Sequence, residues 1–338
     1  MNVLIIGGTS FIGPSVVRQL HAAGHAVTLF NRGQSAADLP DGVSRIGGDR
    51  AAMAGFRDQF KECAPQVVLD MYAMTRDDAL MTMSAVKGIA SRVVAISSLD
   101  TFQAFGRLVG TEPGLPAELP LTEESPLREK RYPYRGDEAR GADDPHQWRD
   151  SYDKIDVEEV IQSDPDMPGT VLRLPMVYGP RDRQHRFRSF VRRMDDGRSA
   201  IPLAESMASW RSSWAYVDDV AAAVSLAVTD ERAAGQTYVL SEREHPTMAE
   251  IARVLAAQVG WQGDIITVPD SELPQSMNTA QHLVADSSRI RQELGFQEVT
   301  DHLTALERTI EWERQGGPPM DAAELDYQRE DELIKKYG

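Results

Sequence analysis

Apolar strands alternating with amphipathic helices predict an α/β fold on a doubly wound parallel sheet. Two observations carry this. An apolar run ends in glycines at residues 3–8, and a β–α order then repeats as far as residue 174. A third observation is the mainly helical periodicity after residue 242, which predicts a small, mainly helical C-terminal substrate lobe. The expected sheet is therefore Rossmann-type.

The first strand is "VLII" (3–6), closed by the turn "GGTSFIG" (7–13). "FIGPSVVRQLHAAGH" has helical spacing at Val16, Val17, Leu20 and Ala23 and stops at Gly24. "AVTLF" follows as a second strand, which makes a βαβ unit of about 30 residues. "QVVLDMY" and "RVVAISS" read as buried strands, with the helix "DDALMTMSAVKGIA" between them. From Gln103 to Arg149 the chain is rich in Pro, Gly and charge, and predicts a lid-like loop over 103–149. A helix over Tyr152–Gln162 and the strand "TVLRL" then complete a dinucleotide-binding domain over 1–180. Residues 181–211 form an arginine-rich excursion, and 212–241 return to the sheet through "WAYVDDVAAAVSLAV" and "TYVLS". Residues 242–315 supply the C-terminal lobe, with helices at "TMAEIARVLAAQVG" and "LTALERTIEWER". The tail over 316–338 reads as helical.

Composition narrows the function. The single cysteine, Cys63, excludes an internal disulfide and fits a reducing cytoplasm. No secretory leader or membrane span is read at the N-terminus, and no cysteine or histidine spacing suggests a metal site. A net charge of −16 repels nucleic acid and anionic membranes. One concentrated basic stretch stands against that charge: "RDRQHRFRSFVRRMDDGR" holds seven arginines within 181–198.

The turn "GGTSFIG" lies after a strand and before a helix, where glycines let backbone approach a pyrophosphate at the helix N-terminus. Gly7 and Gly13 bracket it, and Ser10 holds the middle position usually given to glycine. "MNVLIIGGTSFIG", "VVAISS", "VLRLPMVYGPRD", "YVDDVAAAV" and "DSSRIRQELGF" occur in an order that resembles the extended short-chain dehydrogenases/reductases. These are the NAD-dependent epimerase/dehydratase family, and the resemblance runs from residue 1 to about 312. It is nearest to an atypical branch that includes the chloroplast stem-loop-binding proteins.

The resemblance implies a dinucleotide held by Gly7, Thr9, Ser10, Phe11, Ile12 and Gly13, with Asp49 contacting adenine. It also places Arg50, Met71, Pro175 and Val177 against the cofactor. NAD-specific relatives carry an aspartate after the second strand, whereas this chain has Asn31 followed by Arg32. Loss of a carboxylate and gain of a guanidinium favour a 2′-phosphate, so NADP(H) is expected ahead of NAD(H).

In the family a Ser or Thr, a Tyr and a Lys act together, the Lys holding the nicotinamide ribose and lowering the Tyr pKa. Ser98 in "ISSLDTF" takes the serine position. Counting back from Glu158 and Glu159 puts Lys154 on the family lysine and Asp150 on its tyrosine. Tyr152 is only two residues from Lys154, about 200° around a helix. Three readings stay open. Tyr152 serves if the helix starts late; Tyr72, Tyr132, Tyr134 or Asp150 substitutes; or the acid is missing and the protein only binds its ligand.

At the substrate end the resemblance places Tyr134, Arg181, Arg188 and Arg211 on the substrate, although Arg211 sits one residue out of register with the family arginine. Arginines suit phosphates and carboxylates, so a small phosphorylated or carboxylated molecule, such as a sugar nucleotide, is expected. The favoured chemistry is reversible hydride transfer. RNA binding, as in the stem-loop branch, is the competing class, and the net charge argues against it. Family members often form dimers, which makes a homodimer the expected assembly.

Overall fold

The computed structural model describes every residue except 36, 137, 142, 316–319 and 321–324. The chain begins β1 (Asn2–Ile6), α1 (Ile12–Ala22), β2 (Ala26–Asn31), β3 (Ser44–Gly47), α2 (Arg57–Glu62) and β4 (Val67–Asp70). It continues α3 (Arg76–Val86), β5 (Arg92–Ser98), α4 (Gln103–Leu108), α5 (Lys154–Ile161), β6 (Gly169–Leu174) and β7 (Met176–Tyr178). Next come α6 (Arg188–Asp195), β8 (Ala200–Ala204), α7 (Glu205–Ser209), β9 (Trp214–Tyr216), α8 (Val217–Thr229) and β10 (Thr237–Val239). The remainder is α9 (Met248–Val259), β11 (Asp264–Val268), α10 (Ser288–Leu294), α11 (His302–Arg314) and α12 (Tyr327–Tyr337).

Seven strands form one parallel sheet in the order β10-β6-β5-β4-β1-β2-β3. Alternate side chains of β1 enter two separate cores, as a strand period of two requires. Val3 and Ile5 pack with Val16, Val17 and Leu20 of α1, while Leu4 and Ile6 pack with Met83 and Val86 of α3 and Val157 of α5. The sheet is thus covered on both faces. α1 is tied to α8 by Ser15 Oγ donating to Asp218 Oδ1 at 2.6 Å and Gln19 Nε2 donating to the Asp218 carbonyl at 2.9 Å. The order reverses between β1 and β4, and ligands of such sheets bind outside the strand carboxyl ends at that point.

The second group of elements packs beside this sheet. β8 pairs with β11 and β7 with β9, both in parallel, and α6, α9 and α11 contact one another. α12 lies against β8 and β11; of the tail read as helical over 316–338, residues 316–319 and 321–324 lie outside the described residues. Among the described residues no helix is long and apolar enough to cross a membrane.

One sequence expectation is corrected and two segments gain detail. The segment 103–149 opens with α4, and Leu121 pairs with Ala285 across to the C-terminal part. Residues 181–211 contain helices α6 and α7 and strand β8. The correction concerns α5. The helix expected from Tyr152 begins two residues later, at Lys154, with Asp153 as its cap. That shift leaves Tyr152 outside the helix.

Candidate active site

β1 runs into the glycine turn at the switch point. Gly7 and Gly8 have φ of 95° and 80°, conformations that a side chain rarely tolerates. A Cβ on Gly13 would meet the Gly8 carbonyl carbon at 2.5 Å, so helix α1 starts pressed against the turn. Phe11 at the N-cap offers no side-chain bond, and the first turn of α1 has no acidic residue. The Gly13 amide already donates to the Ser10 carbonyl at 2.9 Å and Pro14 has none, so no side chain competes with an anion for the amides that are left at this end. Thr9, Ser10 and Ile12 line the same turn, and the Met71 Cβ lies 3.5 Å from where a Gly7 Cβ would stand.

Asn31 ends β2 with its amide already engaged. Nδ2 donates to the Gly7 carbonyl at 3.3 Å, and Oδ1 accepts from the Gly33 amide at 2.9 Å. This ties the glycine turn to the next loop and leaves Arg32 exposed at the rim. Asp49 caps the 3-10 turn over 50–56 by accepting from the Ala51 amide at 2.9 Å. Arg50 turns inward and pairs with fully buried Asp70 at 2.6 Å, and also donates to Thr82 Oγ1 at 3.0 Å. Burial alone would raise the Asp70 carboxyl; the Arg50 guanidinium holds it below its ordinary value. Arg50 is thus engaged in the core behind the turn. Pro175 follows the carboxyl end of β6, and the Val177 carbonyl accepts from Arg186 at 2.6 Å.

The residues expected to handle a proton gather at the carboxyl end of β5. Ser98 Oγ accepts from the Asp100 amide at 3.1 Å, which leaves its own hydroxyl proton to donate outward. Lys154, at the first position of α5, is buried, with Nζ donating to the carbonyls of Ala73 and Ile96 at 2.5 and 2.9 Å. Burial pulls its pKa down to about 8, against the pull of Asp100, Asp70 and Asp78.

Because α5 starts at Lys154, Tyr152 lies outside the helix and the 200° argument does not apply to it. Asp153 fixes the entry: it caps through the Ile155 amide at 2.9 Å, pairs with buried Arg128 at 3.1 Å, and accepts from the Tyr132 amide at 2.7 Å. Held this way, Tyr152 points inward and donates to Asp100 Oδ2 at 2.8 Å. The Lys154 ammonium stands 5.9 Å from its ring centre. Tyr134 donates to the same Oδ2 at 3.0 Å, and the two rings are 5.2 Å apart. Burial, followed by the Asp100 charge, pushes both phenols well above their ordinary value.

The other candidates fall elsewhere. Tyr72 is 61% exposed. Tyr132 turns its ring under the Arg135 guanidinium at 4.0 Å. Asp150 accepts from the Arg140 amide at 2.6 Å and pairs with the Arg140 guanidinium; these bonds lower its pKa and leave it a structural carboxylate.

The family model for the NAD dependent epimerase/dehydratase family matches residues 3–241. The chain belongs to this family. It is 26% identical over 329 residues to the 2'-dehydrokanamycin reductase of Streptomyces kanamyceticus, covering 94% of this chain and 82% of that one. Solved structures show the same fold. The UDP-glucose 4-epimerase of Thermotoga maritima, with UDP-glucose, superposes with a TM-score of 0.67 at 19% identity, over 93% of this chain and 99% of that one. The dTDP-glucose 4,6-dehydratase of Bacillus anthracis, in complex with NAD, gives 0.68 at 16% identity, over 94% and 97%.

In this member of the epimerase/dehydratase family, four arginines of the arginine-rich stretch are paired with acids. Arg186 pairs with Asp182 at 2.8 Å, Arg192 with Asp196 at 2.9 Å, and Arg193 with Glu330 at 2.7 Å. Arg198 pairs with Asp331 and lies 4.5 Å over the Tyr327 ring. Arg211 donates to the His245 carbonyl and approaches Glu250 at 3.5 Å. Arg188 lines a cleft with Arg192, Asp195, Glu313 and Arg314, and Arg181 sits at a φ of 72° just after β7. Among the described residues no group of His, Cys, Asp and Glu could hold a metal ion.

Sequence reading misses Asp100, Gly8 and the Arg128–Asp153 pair. A carboxylate two residues past Ser98, in a stretch otherwise uncharged, is the one signal that could have flagged Asp100.

Proposed function

We propose that this chain is an NAD(P)-dependent oxidoreductase that moves hydride reversibly at a carbinol carbon of a sugar-bearing substrate. The observation that carries this reading is the inward Tyr152 hydroxyl beside buried Lys154, at the strand ends that also carry the glycine turn. A dinucleotide fits that turn: Gly8 and Gly13 leave no room for side chains, and the amides opening α1 have no side-chain cap. Thr9 to Gly13 would hold its pyrophosphate and Lys154 its ribose. When bound, a nicotinamide dinucleotide supplies or accepts the hydride.

The protein's own residues handle the proton. Ser98, with its hydroxyl proton available, would donate to the substrate oxygen. Tyr152 is kept protonated by burial and by Asp100, which suits giving a proton to a carbonyl oxygen as it becomes an alcohol. The Lys154 cation stabilises the phenolate left behind. A resting phenol that holds its proton favours the reductive direction, in keeping with the name of the Streptomyces relative. Pairing of most of the arginine stretch with acids weakens the case for a diphosphate on it, and supports a glycoside or simple sugar ahead of a sugar nucleotide.

Exposed Arg32 beside an engaged Asn31 supports NADP(H) as the preferred form. A charge-assisted bond to the 2′-phosphate is worth about 1.5–3 kcal/mol, or about 10- to 150-fold in affinity. Calorimetric titration with NADPH and NADH tests both points. NADPH should bind more tightly, and Arg32→Asp should remove that preference by a factor in this range. If neither dinucleotide bound, the oxidoreductase reading would end, and an unchanged preference in Arg32→Asp would end the phosphate assignment alone.

A further inference from the structure

We propose that Asp100 is a proton relay, passing protons from surface Tyr134 to buried Tyr152 after each turnover. This rests on the oxidoreductase reading above and adds to it the route by which the acid is restored. A single oxygen, Asp100 Oδ2, accepts from both hydroxyls, at 2.8 Å from Tyr152 and 3.0 Å from Tyr134. Exposure rises along that line. Asp100 is 4% exposed and Tyr152 7%, whereas Tyr134 is 36% exposed. The other neighbour of the acid leads nowhere: Lys154 donates to the main-chain carbonyls of Ala73 and Ile96, which carry no proton to pass on.

The surroundings of the carboxyl suit a group that changes its protonation. Oδ1 of Asp100 is buried without a hydrogen-bond partner, which penalises a lasting carboxylate there. Arg128, whose Nε donates to the Asp100 carbonyl and which pairs with Asp153, and the Lys154 ammonium pull the other way. Together with the two phenols these are the charged and titratable groups that face it.

The step balances as a proton shift alone. Tyr152 gives its proton to the substrate oxygen and is left a phenolate beside a carboxylate, an arrangement of like charges. Oδ2 takes the Tyr134 hydroxyl proton and hands it to the Tyr152 oxygen, and Tyr134 takes one proton from water. No electrons move, and the net change is one proton carried from solvent to Tyr152.

Two measurements test the relay. In the first, Tyr134→Phe and Asp100→Asn are compared with the unmodified protein in rapid-mixing and steady-state assays of ketone reduction. Tyr134→Phe should slow steady-state turnover about tenfold or more while slowing the first turnover far less, and imidazole buffer should restore its turnover. Equal loss in both phases without rescue marks a structural role and overturns the relay, as does turnover at the unmodified rate. The second measurement needs no substrate. Carbon-13 NMR of labelled tyrosines should show the Tyr134 and Tyr152 signals shifting together as the Asp100 carboxyl titrates, with that shared step lost in Asp100→Asn. Independent titration of the two rings overturns the relay even if no ketone is ever reduced. Absence of hydride transfer with coupled rings overturns only the oxidoreductase reading.

Discussion

The role proposed for Lys154 needs a positive charge in surroundings that oppose it. Its pKa falls from 10.5 to about 8, with burial as the main cause. A base lowered in the folded state binds fewer protons there than when unfolded, so its contribution to stability rises with pH between those two values. Its use to the site runs the other way, because the cation beside Tyr152 is lost as pH passes about 8. We therefore expect kcat/KM to fall above pH ~8, and Lys154→Met to bind dinucleotide more weakly. The unmodified protein should also gain thermal stability on this variant between pH 7 and 10; an equal gap at both would refute the shifted pKa. Lys154 is legible in sequence from the acids that follow it. Tyr152 is not, because Asp150, Ser151 and Asp153 are all residue types that cap helices. The choice falls to Asp153 because Arg128 and the Tyr132 amide, both distant in sequence, hold its carboxylate.

At the level of elements, the Arg50–Asp70 pair clamps β4 to α3 and to the turn over 50–56. Asp70 Oδ2 also accepts from Thr82 at 2.5 Å, and Asp70 Oδ1 from the Tyr72 amide at 2.9 Å. Replacing Arg50 with Met would strand a fully buried carboxylate, a change that costs about 3–5 kcal/mol. Urea unfolding should show that loss; a variant as stable as the parent would return Arg50 to the cofactor list. Strands with continuous apolar runs, such as β1, β4, β5 and β6, are plain in the sequence because both faces are buried. β3, "SRIG", is an edge strand with mostly exposed residues and no alternation, so nothing in its sequence distinguishes it from a loop. α4 is hidden for a related reason: at six residues it is too short to display a period.

For the whole molecule, the second group of elements is held by charges far apart in the chain. Glu330 on α12 reaches Arg193 at 2.7 Å and Arg198 at 3.6 Å, and Glu272 takes Arg329 and Lys336 at 2.5 and 2.6 Å. Glu330→Gln should cost about 1–3 kcal/mol and speed hydrogen exchange in α12 before it affects the main sheet. Uniform exchange across both would show that α12 is not a separate latch. This pairing also explains why the basic stretch misleads a reader of sequence: the acids that meet Arg193 and Arg198 stand more than a hundred residues away, and spacing carries no trace of them. The same separation sets an order of events during synthesis. The main sheet has all its strands once Val239 is made, but Arg198 waits 133 residues for Asp331. At the usual pace of translation, about 5–20 residues per second, that wait lasts roughly 7–27 s. A nascent chain therefore lacks Glu330 and Asp331 opposite this stretch through that interval, and only a ribosome that has passed Asp331 releases a molecule in which Arg198 has its mature partner.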